Sequence, residues 1–240
     1  MSKDRLDCRR AAFRLAPGGG LWLALTLAPV LVLAPANARA EPLAEHDYVG
    51  VGKCRSCHKK ELMGNQVAVW QKGPHHRAFQ TLLSEASLAI AAERGLASPP
   101  HESAECLRCH VTAHAVPPVR IANEVDPADG VQCESCHGPG RDYRKKKIMS
   151  DEELARKKGL WDAEHDAAIC TACHNEESPT FDPARYALTD GTKVGFDFEL
   201  AKQRFPHEIP ADVKGRYVEL EKEQKAAEKA AKAAAGAAPR

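Results

Sequence analysis

Cys54-Arg55-Ser56-Cys57-His58 is the first of four Cys-x-x-Cys-His segments in this 240-residue chain, and their repetition decides the fold. The other three, in chain order, are Cys106-Leu107-Arg108-Cys109-His110, Cys133-Glu134-Ser135-Cys136-His137 and Cys170-Thr171-Ala172-Cys173-His174. Each segment has the attachment signature of c-type haem. Positions i, i+3 and i+4 share one face of a helical turn. Both thiols can therefore reach the vinyl groups of one porphyrin while the histidine lies beneath the iron.

Structural zinc sites and disulfides also use Cys-x-x-Cys pairs. Neither requires a histidine directly after each pair, whereas the haem signature does. The sequence therefore predicts four covalently bound c-type haems. The predicted proximal iron ligands are the four motif histidines, His58, His110, His137 and His174. The predicted attachment residues are Cys54, Cys57, Cys106, Cys109, Cys133, Cys136, Cys170 and Cys173.

The first 40 residues have the pattern of a secretory signal peptide. A basic region precedes an apolar stretch at 21–34, and Ala38-Arg39-Ala40 is a small-x-small cleavage site. A membrane anchor is the alternative, but a bilayer span takes about 20 apolar residues. We predict cleavage after Ala40, a periplasmic location and no membrane span afterwards. Cys8 would leave with the leader, so every remaining cysteine lies in a haem motif.

The composition of the chain after the leader limits both its partners and its fold. It has 28 basic and 31 acidic residues, a net charge of −3, and no concentrated basic face of the kind that binds nucleic acid. Aromatic residues make up only 5% of the chain, so large apolar haems would have to fill the core. We predict a mainly α protein with little β structure, in which residues 41–213 form one compact multihaem domain around the haems.

Helical patterns alternate with breaks along this domain. Gly73-Pro74 interrupts a helical pattern at 67–83, and Gly138-Pro139-Gly140 ends the third motif helix. We predict helices at 82–94, 151–158, 162–174 and 197–205. Residues 214–240 are rich in Lys, Glu and Ala and lack apolar anchors, which predicts a solvated helix that frays into a disordered tail.

The second axial ligand of each iron must come from outside the motifs. The seven other histidines are His46, His75, His76, His101, His114, His165 and His207. Of the three methionines, Met1 is lost with the leader, while Met63 and Met149 lie beside charged segments. Histidine is therefore the predicted distal ligand, and bis-His haems have lower potentials than His/Met haems because methionine raises the potential.

Several segments together resemble the tetrahaem cytochrome c-554 family. The strongest match is the stretch from Gly130 to Arg141, which reads Gly-Val-Gln-Cys-Glu-Ser-Cys-His-Gly-Pro-Gly-Arg. Trp70 followed by His75 and Ala78 resembles the family's Trp and His-x-x-Ala helix. Further matches are Cys109-His110-Val111, His165 and His207. The matching segments extend from about Gly52 to His207.

The resemblance implies three bis-His haems and one haem with an open axial position. The open haem in the family is the one on the second motif, here held by Cys106, Cys109 and His110. The resemblance also implies distal ligands at His75, His165 and His207, without saying which iron each one serves.

Two departures from the family bear on these assignments. Family members carry a histidine shortly after Gly-Pro-Gly-Arg, where this chain has Arg144-Lys145-Lys146-Lys147, so one haem would need another ligand. His101 and His114 flank the second motif as additional histidines. Either could close the site that is open in the family; otherwise both lie near the haem or on the surface without ligating it. We predict that His46 and His76 are surface residues.

Two functions fit these features. The first is an electron carrier between a periplasmic oxidoreductase, by resemblance hydroxylamine oxidoreductase-like, and a membrane-linked acceptor. The alternative is a haem enzyme that reduces NO or a related nitrogen species at the His110 haem, with His101 or His114 supplying a proton. The chain has no paired acid/base motif and no nucleotide-binding loop, which favours the carrier.

Overall fold

The protein is described by a computed structural model that covers residues 46–236. The predicted leader and the last four residues lie outside this range. The described part is mainly α, as predicted. Its helices are α1 (Val51–His58), α2 (Gln66–Lys72), α3 (Ala78–Thr81), α4 (Glu85–Glu93), α5 (Ala104–His110), α6 (Glu134–His137), α7 (Lys146–Met149), α8 (Glu152–Lys157), α9 (Ala167–Thr171), α10 (Phe198–Arg204) and α11 (Tyr217–Gly236). Within residues 46–236, no helix is long and apolar enough to cross a membrane.

The strand content is limited to one short hairpin. Strands β1 (Tyr186–Ala187) and β2 (Lys193–Val194) pair antiparallel within the stretch 181–196, which the sequence predicts as irregular. The helix predicted at 162–174 is shorter in the structure, where only α9 forms. Asp166 ends the preceding turn, since its carboxylate accepts the Ala168 N–H as an N-cap at 2.9 Å. Short helices separated by caps leave room for cofactors between them.

The start of α1 is held by two buried side chains of the third motif. The Glu134 carboxylate accepts the backbone N–H groups of Val49, Gly50 and Gly140. The Gln132 Oε1 atom accepts the Val51 N–H at 2.9 Å. Both side chains are fully buried, so the third motif fixes the position of the first motif helix.

The C-terminal helix packs on the body of the protein at its first turns. Tyr217 is 7% exposed and forms a buried cluster with Met63 and Val213, against which Leu220 packs. Glu221 forms ion pairs with Lys60 and Lys146. The sequence predicts a segment without apolar anchors from residue 214 onward, but Tyr217 and Leu220 provide such anchors. Most of the later side chains of α11, from Lys222 onward, are exposed, as predicted.

Candidate haem-binding site

The four motifs lie next to one another in a defined order. The Cys54 and Cys133 thiols lie close enough to interact, which places the first motif beside the third. The Cys109 and Cys173 thiols also lie close enough to interact, which places the second motif beside the fourth. The Cys136 thiol is close enough to that of Cys170 for the two to interact electrostatically. The motifs thus follow the spatial order first, third, fourth, second.

None of the eight motif cysteines forms a disulfide within the described part of the chain. Burial raises the pKa of Cys136 to about 11. Burial and the interaction with Cys109 raise the pKa of Cys173 to about 12. These two groups are therefore neutral thiols near pH 7. That state suits thioether attachment, whereas a catalytic nucleophile needs a thiolate.

Two motif histidines have one ring nitrogen held by a hydrogen bond. The Nδ1–H of His110 donates to the Ala78 carbonyl over 2.7 Å. His58 Nδ1 lies 3.2 Å from the Gln66 side-chain oxygen. Metal-ligating histidines commonly donate their other ring N–H in this way, which fixes the tautomer and orients the ring. The Nε2 atoms of His58 and His110 are left as the available ligands.

The environment of three motif histidines, His58, His137 and His174, lowers their pKa values and so favours the neutral ring that metal binding requires. Burial lowers the pKa of His137 to about 4, with further lowering from the neighbouring His207 and His58. Burial also lowers the pKa of His58 and of His174. A neutral imidazole has a free lone pair for iron.

Two motif histidines each face a histidine from a distant part of the chain. The ring centres of His75 and His174 are 6.1 Å apart, with the planes at 61°. Those of His137 and His207 are 6.0 Å apart, at 74°. A metal–imidazole bond is about 2 Å and the nitrogen lies about 1 Å from the ring centre, so two axial imidazoles are separated by roughly 6 Å. Both pairs therefore have a spacing that fits one iron between them.

The segment that carries His75 is fixed by the third motif. The Val131 N–H donates to the His75 carbonyl at 2.9 Å, and the Trp70 indole N–H donates to the Val131 carbonyl at 2.8 Å. Gly130 has φ +67°, and a Cβ atom there would lie 2.5 Å from the His75 carbonyl oxygen. Only glycine permits this close approach. Trp70 and Gly130 thus act by positioning His75.

His207 is oriented by its own backbone. Its Nδ1–H donates to the Phe205 carbonyl at 2.7 Å, which leaves Nε2 directed elsewhere. The Phe205 ring also stacks on His75 at 5.8 Å, and Phe196 stacks on His174 at 5.0 Å. The two phenyl rings cover these imidazoles and restrict access of water to them.

The other predicted site histidines do not face a motif histidine in this way within residues 46–236. His165 is exposed, and its Nδ1 lies 2.9 Å from the Asp162 carboxylate. His101 is near Glu102, at 3.6 Å, and has a buried Nδ1 without a hydrogen-bond partner. His114 is exposed.

His46 and His76 are not the surface residues that the sequence suggests. His46 is half-buried, and its Nδ1 lies 2.6 Å from the Asp142 carboxylate. The His76 ring lies against Trp70 with 4.3 Å between centres, and its Nδ1 is buried. Both are therefore packing residues, because neighbouring segments that are remote in sequence cover them.

A cleft of about 80 Å³ opens beside the first motif. It is lined by Cys54, Cys57 and His58, and on the other side by α7 and the start of α11. The reactive atoms of this motif thus face a space bounded by apolar and charged side chains. Of the histidines in the described part of the chain, His58 is the one that lines it.

Sequence reasoning did not find the supporting groups Gln66 and Ala78. Ala78 belongs to the His-x-x-Ala pattern, but its role comes from its carbonyl oxygen, which every residue possesses. Gln66 lies eight positions after His58, and its spacing carries no recognised signature. Only the tertiary contacts assign these roles.

Sequence comparison with known proteins agrees with the motifs. The family described as cytochrome c554 and c-prime matches residues 53–138, which contain three of the four motifs. Cytochrome c-554 of Nitrosomonas europaea is 28% identical over 179 residues, covering 67% of this chain and 74% of that protein. The structure of reduced cytochrome c554 from Nitrosomonas europaea covers 67% of this chain and 79% of that one, at 25% identity and a TM-score of 0.41.

The matched region includes the Gly130–His137 stretch that positions both the first motif helix and His75. The motifs, their supporting hydrogen bonds and the sequence match therefore lead to the same conclusion. The chain is similar to the cytochrome c-554 family, whose members bind c-type haem and transfer electrons.

Proposed function

We propose that this protein is a periplasmic tetrahaem c-type cytochrome. It would carry electrons from a periplasmic oxidoreductase, of the hydroxylamine oxidoreductase type by resemblance, to a membrane-linked acceptor. The observation that supports this most strongly is the pairing of His174 with His75 and of His137 with His207 at 6.1 and 6.0 Å. Six-coordinate iron between two imidazoles is suited to electron transfer rather than to substrate binding.

In this proposal the eight motif cysteines hold four porphyrins and the four motif histidines are the proximal ligands. His75 serves the iron of His174, and His207 serves that of His137. These pairings refine the ligand set implied by the resemblance. His165 is left without an assigned iron, because its ring faces Asp162 rather than a motif histidine.

The residues around these sites would support a carrier role in two ways. Gln66 and the Ala78 carbonyl keep the rings of His58 and His110 in place, so little reorganisation accompanies a change of charge. Phe196 and Phe205 shield the imidazoles of His174 and His75 from water. Bound haem supplies the reversible one-electron chemistry of its iron. The order first, third, fourth, second places the His58 and His110 sites at the two ends of the series.

The carrier proposal is tested with the haem-loaded protein. Its mass should exceed that of the processed chain by four haems, and the chain should begin at Glu41 in the periplasmic fraction. Mixing it with hydroxylamine oxidoreductase and hydroxylamine should reduce its haems with a rate that saturates in cytochrome concentration. Fewer than four haems, or no reduction above that of the enzyme-free mixture, would overturn the proposal.

A second candidate function is NO reduction at the haem of His110. The observation that favours it is the position of His110 itself. Its ring is held by Ala78, and within residues 46–236 no second imidazole faces it at the 6 Å spacing of the other two pairs. Electron paramagnetic resonance of the oxidised protein should show a high-spin ferric signal that NO abolishes. A spectrum with low-spin signals alone, unchanged by NO, would reject this candidate.

A further inference from the structure

Resting on the proposed function, we infer that the thioether sulfur of Met149 is the sixth ligand of the iron bound by His58. The haem of the first motif would then have His/Met coordination, whereas the His75/His174 and His137/His207 sites are bis-His. The cleft beside the first motif is lined by a single histidine of the described part of the chain, His58.

The geometry of α7 directs Met149 into this cleft. Lys146, Met149 and Ser150 occupy positions i, i+3 and i+4, which share one face of a helical turn. All three line the cleft, whereas Lys147 is exposed on the other face. The face of α7 that carries Met149 is therefore the one turned toward the first motif.

The contacts of α7 hold this face in position. The Lys146 ammonium forms an ion pair with Glu221 and lies 4.8 Å from the centre of the Tyr217 ring. The Ser150 hydroxyl donates to the Lys146 carbonyl at 2.9 Å. These contacts join α7 to the start of α11, which forms another wall of the cleft.

The lysine, tyrosine and serine side chains that line the cleft have other partners. Each of the three lysines pairs with a carboxylate: Lys53 with Glu124, Lys146 with Glu221 and Lys214 with Glu152. Both tyrosine hydroxyls are also engaged: Tyr143 donates to the Gly138 carbonyl at 2.7 Å and Tyr217 contacts Glu221 at 3.0 Å. Using any of them as a ligand would break an existing contact.

Two methionines line the cleft, and they differ in their surroundings. Met63 is 6% exposed, packs against Val213 and Tyr217, and lies five residues after His58. Its carbonyl accepts from Gln66, the residue that holds His58 Nδ1, so Met63 belongs to the segment that supports the proximal ligand. Met149 is half-buried and comes from a segment that is distant in sequence, as the distal ligands His75 and His207 do in the proposed pairs.

A methionine ligand would change the electron-transfer properties of this end of the series. Methionine in place of histidine raises the potential of haem iron. The His58 haem would then have a higher reduction potential than the bis-His haems, so an electron that enters through the other haems would move to it. Electrons would therefore accumulate on the haem that borders α7 and α11. This end of the haem series would donate them to the acceptor.

The test uses the oxidised, haem-loaded full chain and its Met149→Leu and Met63→Leu variants, which remove one thioether each with little change of volume. The wild type should show the far-red charge-transfer band of ferric haem with a sulfur ligand. Met149→Leu should lose the whole band and gain one high-spin signal, while Met63→Leu keeps the band. A wild-type protein without the band, or a band that survives in Met149→Leu, would overturn the inference.

A Met149→His variant provides a second measurement if the leucine variant loads haem poorly. Histidine should restore a low-spin haem without the far-red band, and the highest of the measured reduction potentials should fall. An unchanged set of potentials would overturn the inference. A protein with four haems that is reduced by its donor but lacks the band contradicts this inference alone, whereas loss of haem or of reduction contradicts the proposed function.

Discussion

The residues that matter most for function in this protein are individual histidines whose imidazole rings can bind iron. His75 and His207 are 99 and 70 residues from the motif histidines that they face, yet each ring lies near 6 Å from its partner. Burial lowers the pKa of His75, with further lowering from His174 and His207, so its ring is neutral. Two neutral rings at this spacing each have a lone pair available for one metal ion between them.

Removal of one ring from each pair should change one haem at a time. We expect His75→Ala to convert the haem of His174 from low spin to high spin, and His207→Ala to do the same at His137. Electron paramagnetic resonance should show one low-spin signal fewer in each variant. His114→Ala is the control, because His114 is exposed, and its spectrum should match that of the wild type. An unchanged spin state in His75→Ala would remove His75 from the ligand set.

Glu134 shows how one buried carboxylate can organise a motif that is remote in sequence. Its two oxygens accept three backbone N–H groups, at 3.0 Å from Val49, 2.7 Å from Gly50 and 2.6 Å from Gly140. Glutamine keeps one acceptor oxygen and brings an NH₂ group toward these donors. At least one buried N–H would lose its acceptor, which costs about 1–3 kcal/mol.

We therefore expect Glu134→Gln to lower the free energy of unfolding of the haem-loaded protein by about 2 kcal/mol, measured by denaturant titration. The exposed Glu105→Gln variant is the matched control and should change it by less than about 0.5 kcal/mol. Equal stability of the two variants would show that Glu134 does not hold the start of α1.

At the scale of elements, glycines decide where the segments meet. Gly130 and Gly95 have nearly the same backbone angle, φ +67° and +66°. A Cβ atom on Gly130 would meet the His75 carbonyl at 2.5 Å, whereas one on Gly95 would meet nothing within 4 Å. The two positions thus share a positive φ angle, but only Gly130 has the close contact.

Gly95→Ala should lose about 1–2 kcal/mol because of its positive φ angle, and Gly130→Ala should lose at least as much, since its ψ angle of −135° lies close to a region that is essentially confined to glycine. Gly130→Ala should lose about 1–3 kcal/mol more, because the added methyl group overpacks the contact with His75. It should also perturb the low-spin signal of the His174 haem, which Gly95→Ala leaves unchanged. Equal unfolding free energies and identical spectra would refute the positioning role of Gly130.

The element pattern was partly predictable. The break at Gly73-Pro74 and the end of the third motif helix at Gly138 appear where the sequence places them, because glycine and proline act locally. The helix expected at 162–174 is reduced to α9, since Asp166 caps a new helix within it. Apolar periodicity alone did not reveal that interruption.

At the scale of the whole molecule, α11 is joined to the body through Glu221. Hydrogen bonds from Lys146 and Lys60 hold the pKa of this carboxyl below its ordinary value of 4.5. Its side chain is 12% exposed, while the two lysines are 35–37% exposed and partly screened by solvent. A carboxyl whose folded-state pKa is depressed stabilises the fold above its unfolded pKa, and this stabilisation is lost as the pH falls through the folded pKa.

We expect Glu221→Gln to reduce the unfolding free energy by about 1 kcal/mol at pH 7 after allowance for screening. The difference from wild type should shrink as the pH falls below about 4, because the carboxyl of the unfolded chain is then protonated, and it should be lost once the pH has passed the depressed pKa of the folded state. Glu223→Gln, which changes an exposed glutamate on the same helix, should show no such pH-dependent difference. A difference that persists unchanged at low pH would contradict the ion-pair account.

The sequence by itself determined the cofactor chemistry and the helical class. Cys-x-x-Cys-His is a local signature whose residues lie within one helical turn, so it needs no information about the rest of the chain. The tertiary structure alone decided which motifs are neighbours, which distant ring faces His137 or His174, and which face of α7 borders the first motif. Those relations depend on contacts between segments that are 34 to 99 residues apart, and packing rather than local pattern sets such contacts.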